Sequence, residues 1–129
     1  MPGNREVQRI LKVKPDIAIS MWFGDLGIAP ETDTADRLQE QLGIPVVMVD
    51  MGLTSLDKTY EFMGELLGVK ERVPELARYC RETIAEVQEK ARNIPPEKRV
   101  RVYYAEGPDG LQTDPRGSHH IQVLDLVGG

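Results

Sequence analysis

Residues 71–94 read ERVPELARYCRETIAEVQEKARNI, and their spacing decides how the rest of the chain is organised. Apolar side chains recur at Val73, Leu76, Cys80, Ile84, Val87, Ala91 and Ile94. Steps of three and four residues place them on one stripe of a helix. Arg72, Glu75, Arg78, Arg81, Glu82, Glu86, Glu89 and Arg92 take the opposite face. Pro74 falls in the first turn, where its missing N–H costs nothing. Pro95 and Pro96 end the helix, because proline disfavours helical geometry before it and cannot donate. Some twenty residues rising ~1.5 Å each span roughly 30 Å, about the diameter of a small domain. Two architectures use such a helix: a strut between two α/β halves, and a crossover helix inside one α/β domain.

The chain has 129 residues, the size of one ordinary domain. With 40% apolar and 29% charged residues it has the composition of a soluble globular protein. The net charge is −5, and the Lys and Arg residues are interleaved with Glu and Asp. A concentrated positive footprint is missing, which argues against nucleic-acid binding. No apolar stretch approaches the ~20 residues that span a bilayer. The opening residues, Met1 to Glu6, lack the charged-then-apolar pattern of a signal peptide. Taken literally that says cytoplasmic. The lone Cys80 lies on the apolar stripe, where packing rather than redox chemistry is expected.

Outward from the long helix, the chain alternates helices and strands. Asn4–Val13 is expected as a short helix capped by Asn4 and stopped by Pro15. Asp16–Ser20 suits a buried strand that empties into a loop holding Met21, Trp22, Phe23 and Gly24 to Gly27. Thr34–Leu42 is a second helix, closed by Gly43. Pro45–Val49 is the next buried strand, ending at Asp50-Met51-Gly52. Thr54 and Asp57 resemble a capping box for a helix that carries Leu56, Tyr60, Met63 and Leu67 and closes at Gly68. After the long helix, Val100–Tyr104 is expected as a third strand. A Gly-, Pro- and Asp-rich loop over residues 106–110 follows, then a short extended piece over Leu111–Thr113 and a turn over Asp114–Gly117. Ser118–Val127 is expected as a helix capped by Ser118. Alternation of this kind argues an α/β fold with parallel strands.

In open parallel sheets, ligands bind beyond the carboxyl ends of the strands. That rule marks Trp22, Phe23, Asp50 and Glu106. Trp22 and Phe23 also suit core anchors at a strand end, and Asp50 also suits a turn. His119 and His120 are adjacent, and neighbours on a helix point ~100° apart, so both can hardly ligate one metal. One of them facing a cleft, and both being ordinary first-turn residues, are each open. A helix start flanked by Arg116 and Ser118 suits an anion. No HExxH or CxxC pattern and no glycine-rich phosphate loop is present, and no Ser, Cys or Asp has a nucleophile context. No catalytic residue, metal ligand or cofactor is therefore assigned, and a binding module is expected rather than an enzyme.

Several stretches, in this order, resemble periplasmic substrate-binding proteins of ABC importers for iron complexes, siderophores and cobalamin. Asn4 to Ile19 resembles the family's N-x-E-x-I-x-x-L-x-P-D-L-V element, and Leu42 to Val47 its L-G-I-P-V strand entry. Phe62 to Gly68 resembles its L-G-x-L-x-G helix end. Gly110 to Thr113, Gly117-Ser118 and Leu124 to Gly129 resemble its T-x-G-x-G-S…L-x-G-G segment.

The resemblance implies two α/β lobes joined by one long helix, with the ligand between them. Residues 1–70 would be part of the N-terminal lobe, 71–95 the connecting helix and 96–129 the start of the C-terminal lobe. The chain would then be a central fragment, an incomplete bilobal fold with parallel-sheet β/α units on either side of the helix. Its ligand would be a metal complex: ferric siderophore, haem, cobalamin or a metal oxyanion. Trp22 and Phe23 would offer a stacking surface, with Asp50 at the same end. Glu106, Arg116, Ser118 and His119 would offer polar contacts, Arg116 suiting an anionic ligand through its forked guanidinium. The intact protein would work with an ABC permease, in the periplasm or lipid-anchored outside the cytoplasm. A fragment with unpaired sheet edges would self-associate. The alternative is a complete flavodoxin-like regulatory or interaction domain. A third possibility is an enzyme using Asp50, Glu106 and a histidine on a metal.

Overall fold

The computed structural model describes residues 4–22 and 32–128. The chain divides into two compact units, Met1–Met51 and Gly52–Gly129. Phe23 and the Gly24 to Gly27 loop lie outside the described residues, as does the side chain of Asn4.

The first unit is built on two parallel strands. Helix α1 (Asn4–Val13) leads to β1 (Ala18–Trp22), and α2 (Thr32–Leu42) leads to β2 (Val46–Asp50). β1 and β2 pair in parallel, from Ala18 opposite Val46 to Trp22 opposite Asp50. Backbone hydrogen bonds flank the ladder: Ala18 N–H donates to Pro45 O at 2.9 Å, and Met51 N–H to Trp22 O at 2.6 Å. β1 runs two residues further along the chain than its apolar run suggests, so Trp22 is a strand residue and not a loop residue. Pairing sets the strand's ends, since each residue in register with β2 gains a partner for its backbone groups. Val7 from α1, Ala35 and Leu42 from α2, and Val49 from β2 form the buried core. Gly43 takes a left-handed φ of +66° and its N–H closes α2 on Gln39 O at 2.8 Å. The Gln39 side chain then accepts the Val46 N–H at 3.0 Å, so the end of the helix also seats the start of the strand.

The second unit is built on a helical hairpin. A 3₁₀ turn over Leu53–Ser55 runs into α3 (Leu56–Leu67), and α4 (Val73–Arg92) follows. The stripe expected on α4 is its packed face as far as Ala91; α4 ends at Arg92, before Ile94, which is exposed. Ala91 is buried, Val73, Leu76, Cys80, Ile84 and Val87 are half-buried, and the charged residues opposite are exposed. Ala77, at 1% exposure, is the most deeply buried apolar residue described. Gly68 has φ +68°, and the N–H groups of Gly68 and Val69 donate to Glu65 O and Gly64 O, a Schellman-type end for α3. Arg81 on α4 reaches Glu61 Oε1 at 3.2 Å and Asp57 Oδ2 at 3.4 Å on α3. Exposed pairs of this kind contribute ~0–1 kcal/mol, so they tune the register of the hairpin while apolar contact holds it.

α3 does not start with the expected capping box. Its N-cap residue Ser55 makes no side-chain cap. The Leu53 N–H at the head of the preceding turn donates instead to Gln122 Oε1 at 2.8 Å, from 69 residues away. Gln122 opens the last helix, α5 (Gln122–Leu126), and is 8% exposed. The C-terminal end of α4 is closed by Arg99, whose guanidinium donates to Ala91 O at 3.2 Å and to Gly128 O at 2.9 Å. A cation on the last carbonyls of a helix also complements its dipole.

The third strand expected over Val100–Tyr104 is absent. This segment has no ladder partner among the described residues, and Val100 is 80% exposed. Strand propensity alone does not satisfy a backbone, so an apolar alternating stretch without a neighbour remains unpaired. The α/β class with parallel pairing is what the structure shows, the parallel sheet being β1 and β2. No helix among the described residues is long and apolar enough to cross a membrane.

Candidate functional site

The segment after α4 folds into two small turns that bring distant polar side chains together. Glu106 and Gln112 form an antiparallel bridge, with N–H to O distances of 2.7 and 3.2 Å. Between them the chain reverses at Gly107 and Gly110, which take φ values of +77° and +69°. At Gly107 the turn is also crowded, since a Cβ there would stand 3.0 Å from Gln112 Cδ. The Tyr103 hydroxyl donates to Gly110 O at 3.0 Å and the Leu111 N–H to Asp109 Oδ1 at 3.3 Å, which stiffens the hairpin.

The second turn runs from Asp114 into a 3₁₀ helix over His119–Ile121, where a longer regular helix was expected; α5 carries it on only to Leu126. Ser118 holds both ends of this turn. Its hydroxyl donates to Asp114 Oδ2, while its Oγ accepts the His120 N–H at 3.3 Å. The Gly117 N–H donates to Asp125 Oδ2 at 3.1 Å, anchoring the turn to α5.

These two turns place Glu106, Asp114 and His120 side by side. His120 Nδ1 lies 2.6 Å from Asp114 Oδ2 and 3.3 Å from Glu106 Oε1. One donor atom from each residue lies within 4.8 Å of the others. The His119 ring stands against that of His120, with centroids 3.9 Å apart and planes tilted by 57°. The Ser118 hydroxyl, followed by His120 and His119, holds the Asp114 carboxyl below its ordinary value of 3.8. Burial, followed by the Glu106 carboxylate, raises the Tyr104 phenol above its ordinary value of 10.0.

The depressed Asp114 pKa has a definite sign. A carboxyl whose folded pKa lies below its unfolded one stabilises the fold above the unfolded value, and that contribution is lost as pH falls through the folded value. Removing the largest cause should therefore move the titration up. In Ser118→Ala, observed by ¹³C NMR of the Asp114 carboxyl in metal-free buffer, the midpoint is expected to rise toward 3.8. An unchanged midpoint would assign the depression to the histidines.

The residues singled out from the sequence divide as follows. Trp22 and Asp50 face each other across the last rung of the β1–β2 ladder, both half-buried. Phe23 is outside the described residues. Glu106 and Ser118 belong to the clustered turns. Arg116 is exposed on the second turn. His119 adjoins the cluster, but the imidazole that enters it is that of His120. Asp114 and His120 join Glu106 in the cluster; His120 is one of the two adjacent histidines considered from the sequence, and Asp114 is read there only as part of a turn. Asp114 reads as a turn former before Pro115, and the 100° rule asks only whether both histidines join one site. The available signal was Asp114 four residues before a capping Ser118, with His120 two residues beyond.

No family model matches the chain, and no solved structure matches it significantly. The chain is similar to YvrC, an uncharacterized ABC transporter substrate-binding lipoprotein of Bacillus subtilis, at 23% identity over 127 residues. The match covers 96% of this chain and 39% of that protein, so the chain spans about two fifths of its relative's length.

Proposed function

We propose that the chain is the central part of a substrate-binding component of an ABC importer, and that the ligand is an iron complex, siderophore, haem, cobalamin or related metal species. The observation that carries the importer reading is the similarity to a substrate-binding lipoprotein over 96% of this chain. The metal-complex reading rests on the sequence elements described above. In this reading α4 is the helix that connects two lobes, residues 1–70 serve one lobe and residues 96–129 the other. Trp22, Phe23 and Asp50 contribute to the ligand from the first. Glu106, Arg116, Ser118 and His119 contribute from the second. Binding alone is the task, with an ABC permease as the partner that consumes the loaded state. The whole protein would act outside the cytoplasm, as a lipid-anchored or periplasmic receptor.

Trp22 is the single tryptophan, so its fluorescence reports one place in the chain. Titration with a ferric siderophore, haem, cobalamin and molybdate is expected to give saturable quenching by one class, absent from a free-tryptophan control. A flat response to all four, with no heat of binding in calorimetry, would overturn the metal-complex reading.

A further inference from the structure

We propose that Glu106, Asp114 and His120 bind one divalent transition-metal ion directly, in the manner of Zn²⁺, Co²⁺ or Ni²⁺. This site stands on its own geometry and does not depend on the import reading. The three residues come from two turns, Glu106 from the first and Asp114 with His120 from the second, and each turn has its own anchor. Glu106 is held by its bridge to Gln112. Asp114 is held by the Ser118 hydroxyl. His120 follows directly from a 3₁₀ start capped by Ser118 and tied to α5 through the Gly117 N–H.

The donor spacing fits a metal. With metal–donor bonds of about 2.0–2.2 Å, two donors on a tetrahedral ion stand about 3.4 Å apart. His120 Nδ1 is 3.3 Å from Glu106 Oε1, already the spacing of two ligands, whereas its 2.6 Å contact with Asp114 Oδ2 is a hydrogen bond that an ion replaces by opening the pair by about 0.8 Å. One imidazole nitrogen with two carboxylate oxygens suits the borderline ions. Mg²⁺ and Ca²⁺ prefer oxygen alone, and Cu⁺ prefers sulfur.

The surroundings supply the outer support that a metal ligand uses. The Ser118 hydroxyl donates to Asp114 Oδ2. Hydrogen-bonded partners of this kind fix a ligand's orientation and raise its affinity. The side chain of His120 is 48% exposed and those of Glu106 and Asp114 are 29% and 21% exposed, so the ion can enter and a fourth ligand can reach it. Three protein donors with one accessible position is an arrangement that accepts an exogenous donor atom.

The test is isothermal titration of the chelator-treated full chain with ZnCl₂, followed by Co²⁺ absorption spectroscopy. One Zn²⁺ per chain is expected, with a visible d–d band on Co²⁺ loading that Zn²⁺ displaces. His120→Ala should weaken Zn²⁺ binding at least ~100-fold, and Ser118→Ala about 10-fold through loss of outer support. Asp109→Asn, which removes a nearby charge outside the cluster, should leave affinity within about threefold. Circular dichroism checks that His120→Ala folds, and Glu106→Gln gives a second, milder reading of the same site. Absence of saturable Zn²⁺ binding at 100 μM protein, or binding that survives both His120→Ala and Glu106→Gln, would overturn the proposal.

Discussion

Gly64→Ala is expected to destabilise the second unit, although it replaces glycine by the best helix former in the middle of a helix. On an exposed helix surface this change would stabilise by about 0.5–1 kcal/mol. Gly64 is buried on α3, however, and a Cβ built there falls 2.1 Å from Val73 Cγ2 and 3.3 Å from Val73 Cβ. Val73 is the first residue of α4, and a β-branched side chain has few alternative rotamers in a helix. The methyl group therefore pushes α3 and α4 apart or forces an off-rotamer valine, at about 1–3 kcal/mol. The clash outweighs the propensity gain, and the urea midpoint should fall.

The partner identifies the cause. In a Val73→Ala background the obstacle is gone, and Gly64→Ala should become neutral or stabilising. A double-mutant cycle should give a coupling of about 0.5–3 kcal/mol, the range for residues in contact. If Gly64→Ala raised stability in the wild-type background, the close approach of the two helices would be refuted.

Gln122→Leu is the second large expected effect. Gln122 is 8% exposed, and its Oε1 accepts the Leu53 N–H at 2.8 Å. Leucine has similar volume and no acceptor, so the substitution keeps packing and strands a backbone donor. A partly buried donor left without its partner costs about 1–3 kcal/mol. The loss should be local as well as global. In native-state hydrogen exchange, the Leu53 amide should lose protection by more than the average of α4 amides. A uniform loss over both would mean that Gln122 acts by packing alone. The same contact makes α3 depend on α5, since the turn that launches α3 is held by the residue that starts the last helix.

Much of the architecture was legible because it depends on short-range periodicity. The three- and four-residue steps from Val73 to Ala91 define a helix face, and that face is the packed one. Asn4–Val13 matches its expected span. α2 begins two residues earlier than expected, and its terminating Gly43 is left-handed as a helix end requires. Such features are set by each residue's neighbours one to four positions away, and these are written in order in the chain.

The rest depended on partners remote in sequence. β1 ends at Trp22 because β2 is there to pair with it. Val100–Tyr104 has equal strand propensity and finds no ladder partner among the described residues. The α3 start looked like a local capping box at Thr54 and Asp57, yet the turn before it is held by Gln122, brought back by the fold. Among the candidate site residues, Glu106 and Ser118, marked by strand-end and capping logic, lie in the clustered turns. His119 was preferred over His120 because a helical wheel cannot tell which of two adjacent rings faces a cluster. Asp114 was passed over because Asp before Pro is common in turns. Sequence by itself determined the helices α1 to α4, the two strands that do pair and the polar composition of the 106–120 segment. Only the tertiary structure decided that Glu106, Asp114 and His120 share one donor cluster. Two glycine-bearing turns and one serine cap close that distance, and a chain's composition does not encode which of its polar groups those turns will bring within a few ångströms.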